Sequence, residues 1–156
     1  KAMGRLSGGL YIVTATQSEG KSKRRGAMVA SWVSQASFSP PGITIAIAKD
    51  RAVEVLLHKG DLFALNILAA NRDKKLLKQF LQPFPPGANR FKDMDLETSP
   101  KNQPIIPDAL AWLEGCVKER MECSDHWLLY AEVTHGKVLD TDGVTAVHHR
   151  RSGANY

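Results

Sequence analysis

Cysteine and long apolar runs are scarce in this sequence. Cys116 and Cys123 are its two cysteines, and their spacing is neither that of a CxxC pair nor that of a zinc ligand set. So few cysteines argue against a disulfide-stapled secreted scaffold and favour a reducing cytoplasm, where we expect both to serve packing or to lie at the surface. No apolar run approaches the roughly 20 residues of a membrane-spanning helix, so we expect no membrane span.

The motifs of several enzyme classes are missing too. The sequence has no GxGxxG motif, so we expect no Rossmann dinucleotide-binding unit. Asp73 and Asp93 have no serine and histidine paired with them in a hydrolase-like arrangement. His148 and His149 are adjacent in a predicted strand, where neighbouring side chains point to opposite faces, so the two cannot easily bind one ion. With no cluster of cysteine, histidine and carboxylate residues at ligand spacing, we expect no metal site.

An excess of positive charge is present instead. Lysine and arginine number 21 against 16 acidic residues, which gives a net charge of +5 and a pI of about 9.3. Part of the excess is "KSKRR", residues 21–25, which lies beside Gly20 and Gly26 and is predicted as a solvated hairpin tip. No helix-turn-helix, zinc-finger or RNA-binding aromatic pattern accompanies it, which disfavours nucleic-acid binding. An anionic cofactor would use positive charge equally well.

Length and composition indicate a single globular domain over residues 1–156. Hydrophobic residues make up 43% of the chain and charged residues 24%, which is ordinary for a globular protein. A chain of 156 residues is too short for two ordinary domains. Because the first residue is Lys1 rather than methionine, we expect this domain to be a piece of a longer multidomain chain.

Strand patterns dominate the chain. Residues between turn formers predict strands at 10–16, 43–48, 61–68, 109–123, 126–139 and 143–149. In the fifth of these, Trp127, Leu129, Ala131 and Val133 share one face by period two. Helical spacing predicts short helices at residues 51–60 and 71–81, and the prolines that follow predict a loop. This mixture predicts a mainly β fold, a closed or half-closed antiparallel barrel with two or three short helices.

The stretch "AMVASWVSQASFSPPG", residues 27–42, combines a strand-like apolar centre with four serines. Small and hydroxylated side chains allow a flat polar ligand to approach the backbone. Lys49 and Arg51 follow the next strand, at the start of the first predicted helix, where cations and free amides favour a phosphate. The alternative is that the serines decorate an edge strand and that both cations are solvated, and residue patterns alone leave both interpretations open.

Five successive segments resemble the flavin reductase-like family of FMN-binding split barrels: "GRLSGGLYIVTA", "AMVASWVSQASFSPPG", "IAIAKDRA", "FALNIL" and "CSDHWLLYAEV". The family's usual text Gly-Met-Thr-Ala-Ser-Ser-Phe, with Pro-Pro after it, is matched at Met28, Ala30, Ser31, Pro40 and Pro41. The segments "PFPPGANRF", "MECSDHW" and "DGVTAVHHR" are similar to the C-terminal flavin reductase domain of cyanobacterial flavodiiron proteins. The resemblance covers nearly the whole chain.

The resemblance implies a Greek-key split barrel and a role for each matching residue. The flavin ring and its ribityl chain would lie along the segment from Met28 to Ser37, and the FMN phosphate would lie near Lys49 and Arg51. The expected cofactor-binding residues are Met28, Val29, Ala30, Ser31, Trp32, Val33, Ser34, Ser37, Ala48, Lys49, Asp50 and Arg51.

His126, in "SDHW", matches the family's Gly-Asp-His and is the expected catalytic residue. An imidazole near a flavin can donate a hydrogen bond to a developing negative charge or orient a carboxamide. From the residues alone, a single histidine at the start of a strand is more often a packed or solvated side chain. The resemblance favours the functional interpretation.

The implied function is that of an NAD(P)H:flavin oxidoreductase module. It would bind FMN, accept hydride from NADPH or NADH, and pass electrons to the diiron and flavodoxin-like modules of an oxygen-reducing flavodiiron protein. A homodimer with the flavin near its interface is also implied. Two alternatives stay open: a non-catalytic FMN-binding electron carrier with the same barrel, and a basic nucleic-acid-binding barrel.

Overall fold

The computed structural model, which describes residues 1–82 and 89–153, is mainly β, as predicted. The strands of these residues are β1 (Gly8–Gly9), β2 (Tyr11–Glu19), β3 (Ser22–Ala30), β4 (Val33–Phe38), β5 (Pro41–Ala48), β6 (Leu62–Ile67), β7 (Glu97–Thr98), β8 (Pro104–Ile105), β9 (Ala111–Cys123), β10 (His126–Val138) and β11 (Val147–His148). Helix α1 (Asp73–Phe80) and the 3-10 helices Ala2–Arg5 and Ala52–Leu56 complete the elements. Among the described residues, no helix is long and apolar enough to cross a membrane.

Seven strands form one antiparallel sheet in the order β3-β2-β6-β9-β10-β5-β4. Its two edge strands, β3 and β4, are consecutive in the chain and are separated only by Ser31 and Trp32. These two residues form the break between β3 and β4. They are hydrogen-bonded to the sheet, because the Ala46 amide donates to the Trp32 carbonyl oxygen at 3.0 Å. The sheet therefore curls until its two edges meet at this break, which confirms the predicted split barrel.

β9 and β10 form a hairpin of two 13-residue strands. In β10, Leu129 and Ala131 are buried in the barrel core, and Trp127 and Val133 pack against that core. This is the face that the period-two pattern predicts. The hairpin turns at Ser124, whose φ is 55°, and its turn lies at one end of the barrel.

The first half of β2 is buried on both of its faces, which explains why consecutive residues there are apolar. Val13 points into the barrel core, together with side chains of β5 and β10. Ile12 points outward into a second core, which α1 closes with Leu76 and Phe80. The predicted helix at residues 71–81 is thus confirmed, and its apolar face covers the outside of the barrel.

Three predicted elements differ from the structure in detail. The helix predicted at residues 51–60 is only a five-residue 3-10 helix. The final strand predicted at 143–149 is reduced to β11, because its partner β1 has just two residues. The basic run at 21–25 is exposed, as predicted, but only Lys21 lies in the turn of the β2–β3 hairpin, since residues 22–25 pair with β2 as part of β3. The loop predicted at Pro83, Pro85 and Pro86 lies outside the described residues.

Candidate functional site

A broad cleft opens at one end of the barrel, beside the break between β3 and β4. Its volume is about 1000 Å³, which is at the upper end of the range for small-molecule sites. Six parts of the chain line it: the end of β3 with the break, the end of β5 with the turn after it, the end of α1, Arg90, the β9–β10 turn, and the segment after β11.

Eight of the thirteen predicted site residues line this cleft: Met28, Val29, Trp32, Ala48, Lys49, Asp50, Arg51 and His126. Sheet pairing brings them together from distant parts of the chain. His126 begins β10 opposite Ala48, the last residue of β5, and the Trp32 carbonyl bonds to the same strand. A smaller hollow of about 270 Å³, beside Arg25 and Phe91, includes none of the thirteen.

The other five predicted residues do not line the cleft. Ala30 and Ser31 are buried, and Val33 packs against the barrel core. Ser34 and Ser37 belong to the edge strand β4, where the Ser37 hydroxyl donates to the Pro40 carbonyl oxygen at 2.7 Å. These two serines therefore decorate an edge strand, as the alternative interpretation predicted, and their contact with a ligand stays a prediction.

Lys49 is held at the rim of the cleft by an acidic partner. Its ammonium group forms an ion pair with Glu122 and lies 5.0 Å from the centre of the Trp127 ring. The hydrogen bond from Lys49, followed by its charge, lowers the pKa of Glu122 below its usual value. Lys49 thus already has an exposed acidic partner, and its contact with an anion stays a prediction.

Arg51 and Arg90 bring positive charge to the cleft. Burial lowers the pKa of Arg90, and the nearby charge of Arg51 lowers it further. Arg90 is oriented by its own backbone contact, since its guanidinium donates to the Ala27 carbonyl oxygen at 3.0 Å. Arg51 also lies in an exposed ion pair, with its Nε 3.5 Å from Asp50 Oδ1. Positive charge from two guanidinium groups favours an anion in the cleft, because an anion offsets their mutual repulsion and accepts charge-assisted hydrogen bonds.

Arg90 is the functional candidate that sequence reasoning missed. It lies in "PFPPGANRF", which contributed to the resemblance but received no role of its own. A cation that directly follows a proline- and glycine-rich run was the available signal. The sequence also predicted that the amides of a helix contribute to the anion site. This prediction is corrected, because a five-residue 3-10 helix after Arg51 has almost no helix dipole.

His126 is fixed in orientation by the residue before it. Its Nδ1 lies 2.8 Å from Asp125 Oδ1, and this hydrogen bond is the main reason that the pKa of Asp125 is lowered. The turn is held to β5, since the Lys49 amide donates to the Asp125 carbonyl oxygen at 3.0 Å. With Nδ1–H donated to the carboxylate, Nε2 of the neutral ring accepts a hydrogen bond, and it donates one only when the ring is protonated.

The arrangement suits a flat ring that carries an anionic group. Ala46 and Ala48 supply a wall of small side chains, and Met28 adds an adaptable apolar surface. Arg51 and Arg90 supply positive charge to the cleft, and Trp32 and His126 supply aromatic rings. The cleft therefore meets both requirements, an apolar surface for stacking and a cationic group for a phosphate.

Comparison with known proteins gives concordant matches. A family model described as "Flavin reductase like domain" matches residues 3–155. The whole chain is 56% identical to Diflavin flavoprotein A 1 of Synechocystis sp. and 54% identical to Putative diflavin flavoprotein A 6 of Nostoc sp.. It spans only about a quarter of each, 26% and 27%. The solved NADH:FAD oxidoreductase SgcE6 of Streptomyces globisporus C-1027 is 25% identical, with a TM-score of 0.80 over 95% of this chain and 85% of that one.

Proposed function

The chain belongs to the flavin reductase-like family, and on that premise we propose that it binds FMN in the cleft and accepts hydride from NADPH or NADH. The observation that carries the proposal is the combination of an apolar wall at Ala46 and Ala48 with the guanidinium groups of Arg51 and Arg90 in one cleft. Riboflavin would use only the wall, whereas FMN, with its phosphate, would use both. This difference favours FMN over riboflavin.

Each part of the cleft has a separate task in this proposal. When bound, FMN supplies a ring that accepts a hydride and releases electrons to an acceptor. Arg51 and Arg90 hold the phosphate by charge-assisted hydrogen bonds. Met28, Ala46 and Ala48 hold the ring in place by contact and exclude water from one side of it.

His126 is the proposed catalytic residue, on the side where the nicotinamide approaches. Because Asp125 accepts from Nδ1 at 2.8 Å, the ring does not need to be oriented when substrate arrives. Its Nε2 can accept a hydrogen bond from the carboxamide of a nicotinamide, and this contact would align the two reacting rings. Of the two roles expected from the sequence, this is the orientation of a carboxamide. Donation to a developing negative charge is disfavoured, because Nδ1–H already bonds to Asp125.

The proposed electron acceptor lies in the same longer polypeptide. Relatives named diflavin flavoproteins are about four times as long as this chain, as its coverage of 26% in the first of them indicates. We therefore propose that residues 1–156 are the reductase domain of a flavodiiron protein, and that electrons pass from FMN to its diiron and flavodoxin-like domains, which reduce oxygen to water. The free thiols of Cys116 and Cys123 support a cytoplasmic location.

Homodimer formation is the second structural part of the proposal. The edge strand β4 ends at Phe38, whose side chain is 89% exposed. An open edge with an exposed aromatic residue is a surface that proteins commonly cover. We propose a two-fold dimer in which β4 meets the partner subunit, so that Ser34 and Ser37 come near a cleft. A monomeric mass by light scattering at micromolar concentration, with FMN bound, would refute it.

One set of assays separates the proposal from its two alternatives. The purified protein should bind FMN in a titration and should then oxidise NADPH or NADH faster than the same FMN concentration does without protein. An electron carrier without reductase activity would bind FMN and give only the rate of the protein-free control. A nucleic-acid-binding barrel would bind no flavin and would retard an oligonucleotide on a gel.

A further inference from the structure

Three side chains stack at the mouth of the cleft. The rings of Trp32 and His126 lie with their centres 4.9 Å apart, at an angle of 40°. On the same tryptophan, the guanidinium carbon of Arg150 lies 5.1 Å from the ring centre. Since Trp32, His126 and Arg150 all line the cleft, this stack forms one of its walls. Trp32 is 38% exposed, so it has room to move unless its neighbours hold it.

Arg150 is itself anchored away from the cleft. One of its guanidinium nitrogens donates to the Met3 carbonyl oxygen at 3.1 Å. The segment that follows packs closely on the same 3-10 helix: a Cβ added at Gly4 would lie 2.9 Å from the carbonyl carbon of Ser152. A Cβ added at Gly153 would clash with the Cβ of Met3. The two terminal segments thus form a tightly packed strap, and Arg150 reaches from this strap to the indole.

We propose that Arg150 is a positioning residue for the hydride donor. It holds the Trp32 indole in contact with the His126 ring, so that the wall on the nicotinamide side of the cleft is already formed before the donor binds. Arg150 has two properties suited to this task. Its guanidinium attracts the face of an indole as a cation, and its planar set of donors allows it to bond the Met3 carbonyl at the same time.

This inference rests on the proposed function, because it assigns a wall to the nicotinamide side of an FMN site. Arg150 acts through Trp32 and is not required to touch the reacting atoms. Loss of such a residue should weaken binding of the donor equally in its ground state and in the transition state. A cation–π contact of ordinary strength corresponds to a change of about five-fold in binding.

The test compares Arg150→Met, which keeps the length and apolar part of the side chain, with Arg150→Lys, which keeps the cation. Arg151→Met is the matched control, since Arg151 is the exposed neighbour of Arg150 and its loss removes the same charge. Acrylamide quenching of tryptophan emission is measured without any ligand, and Trp32→Phe identifies the share of Trp32. The KM and kcat for NADPH and NADH, and the Kd for FMN, are measured on all variants.

Arg150→Met should increase quenching of Trp32, raise the KM about five-fold, and leave kcat and the Kd for FMN within about two-fold. Arg150→Lys should retain most of the wild-type behaviour, and Arg151→Met all of it. Unchanged quenching in Arg150→Met, or an equal rise of KM in Arg151→Met, overturns the inference. If the wild-type protein reduces no flavin, the proposed function is wrong and the inference falls with it. If the wild-type enzyme is active and Arg150→Met has a normal KM, only this inference is refuted and the proposed function stands.

Discussion

Two polar regions of this molecule use charged side chains in opposite ways. Glu114, in the middle of β9, is fully buried, and the donors of neighbouring elements saturate its carboxylate. At the cleft, the charge of Arg51 adds to burial in lowering the pKa of Arg90. The first cluster is satisfied within the fold, whereas we propose that the second binds an anion. Charged groups that the fold has already satisfied indicate structure, and like charges brought together indicate a site.

The Glu114 carboxylate is bonded on both of its oxygens. On one side the Ser99 hydroxyl donates to Oε2, and the Lys101 amide donates to the same atom at 2.9 Å. On the other side, Oε1 lies 3.2 Å from the Thr134 hydroxyl and 2.8 Å from Nδ1 of His135. Burial, the largest single influence, raises the pKa of Glu114, but the four hydrogen bonds together outweigh it and the pKa is lowered.

The largest effect that we expect comes from removing this carboxylate. Glu114→Ala should lower the free energy of unfolding by about 3–5 kcal/mol, because it leaves several buried donors without an acceptor. Urea unfolding followed by circular dichroism measures the loss. The control is Glu119→Ala, which removes a glutamate from an exposed pair with Lys59 and should leave stability close to that of the wild type. Equal stability of the two variants would mean that the buried cluster does not hold the fold.

The second effect concerns the opposite region. Arg51→Met combined with Arg90→Met should weaken FMN binding by about 2–4 kcal/mol and riboflavin binding much less, because only FMN carries the phosphate. Lys49→Met should change FMN binding less than this double substitution does, since Lys49 is already paired with Glu122. Titrations of both flavins give the values. Equal weakening of FMN and riboflavin would place the two arginines outside the phosphate site.

The third effect is smaller and separates chemistry from binding. His126→Ala should leave the Kd for FMN nearly unchanged and slow flavin reduction several-fold, which corresponds to about 1 kcal/mol for one lost hydrogen bond. Reduction of bound FMN is followed under anaerobic conditions beside a flavin titration of the same variant. Weakened FMN binding with an unchanged reduction rate would move His126 to the flavin side. No change in either quantity would make it an ordinary surface residue.

The smallest effect is a difference in acid stability. Because the pKa of Glu114 is lowered in the folded protein, the unfolded protein binds a proton at a higher pH than the folded one. The stabilisation is therefore complete above the ordinary pKa of 4.5 and is lost as the pH falls through the lower folded value. The free energy of unfolding, measured from pH 6 downwards, should fall more steeply in the wild type than in Glu114→Gln. A parallel decline in the two proteins would contradict this account.

Patterns along the strands predicted the barrel well, because the positions of Leu129 and Ala131 depend only on an alternation that sequence shows directly. The two anion-site arginines were harder to predict. Arg51 follows a predicted strand, but Arg90 reaches the cleft only through a long-range contact with Ala27, and no spacing rule connects residues 63 positions apart. The saturation of Glu114 is hidden for the same reason, since its four donors come from two separate parts of the chain.

The serines of residues 27–42 show a different limit. Their hydroxyls suggested one continuous ligand-binding strand, but the chain breaks at Ser31 and Trp32 and continues as β4 on the other edge of the barrel. Residues before the break reach the cleft, and Ser34 and Ser37 after it do not. Closure of a barrel depends on pairing between distant strands, so a local pattern cannot indicate where a strand changes edge.

The most direct test of the central claim is anaerobic mixing of the FMN-loaded protein with NADPH, and separately with NADH, while the visible absorbance of the flavin is followed. We predict that at least one nucleotide bleaches the bound flavin in a saturable reaction that is faster than with free FMN at the same concentration. Arg151→Met should behave as the wild type does, and His126→Ala should be several-fold slower. Bleaching no faster than that of free FMN with either nucleotide would contradict the assignment of this cleft to hydride transfer.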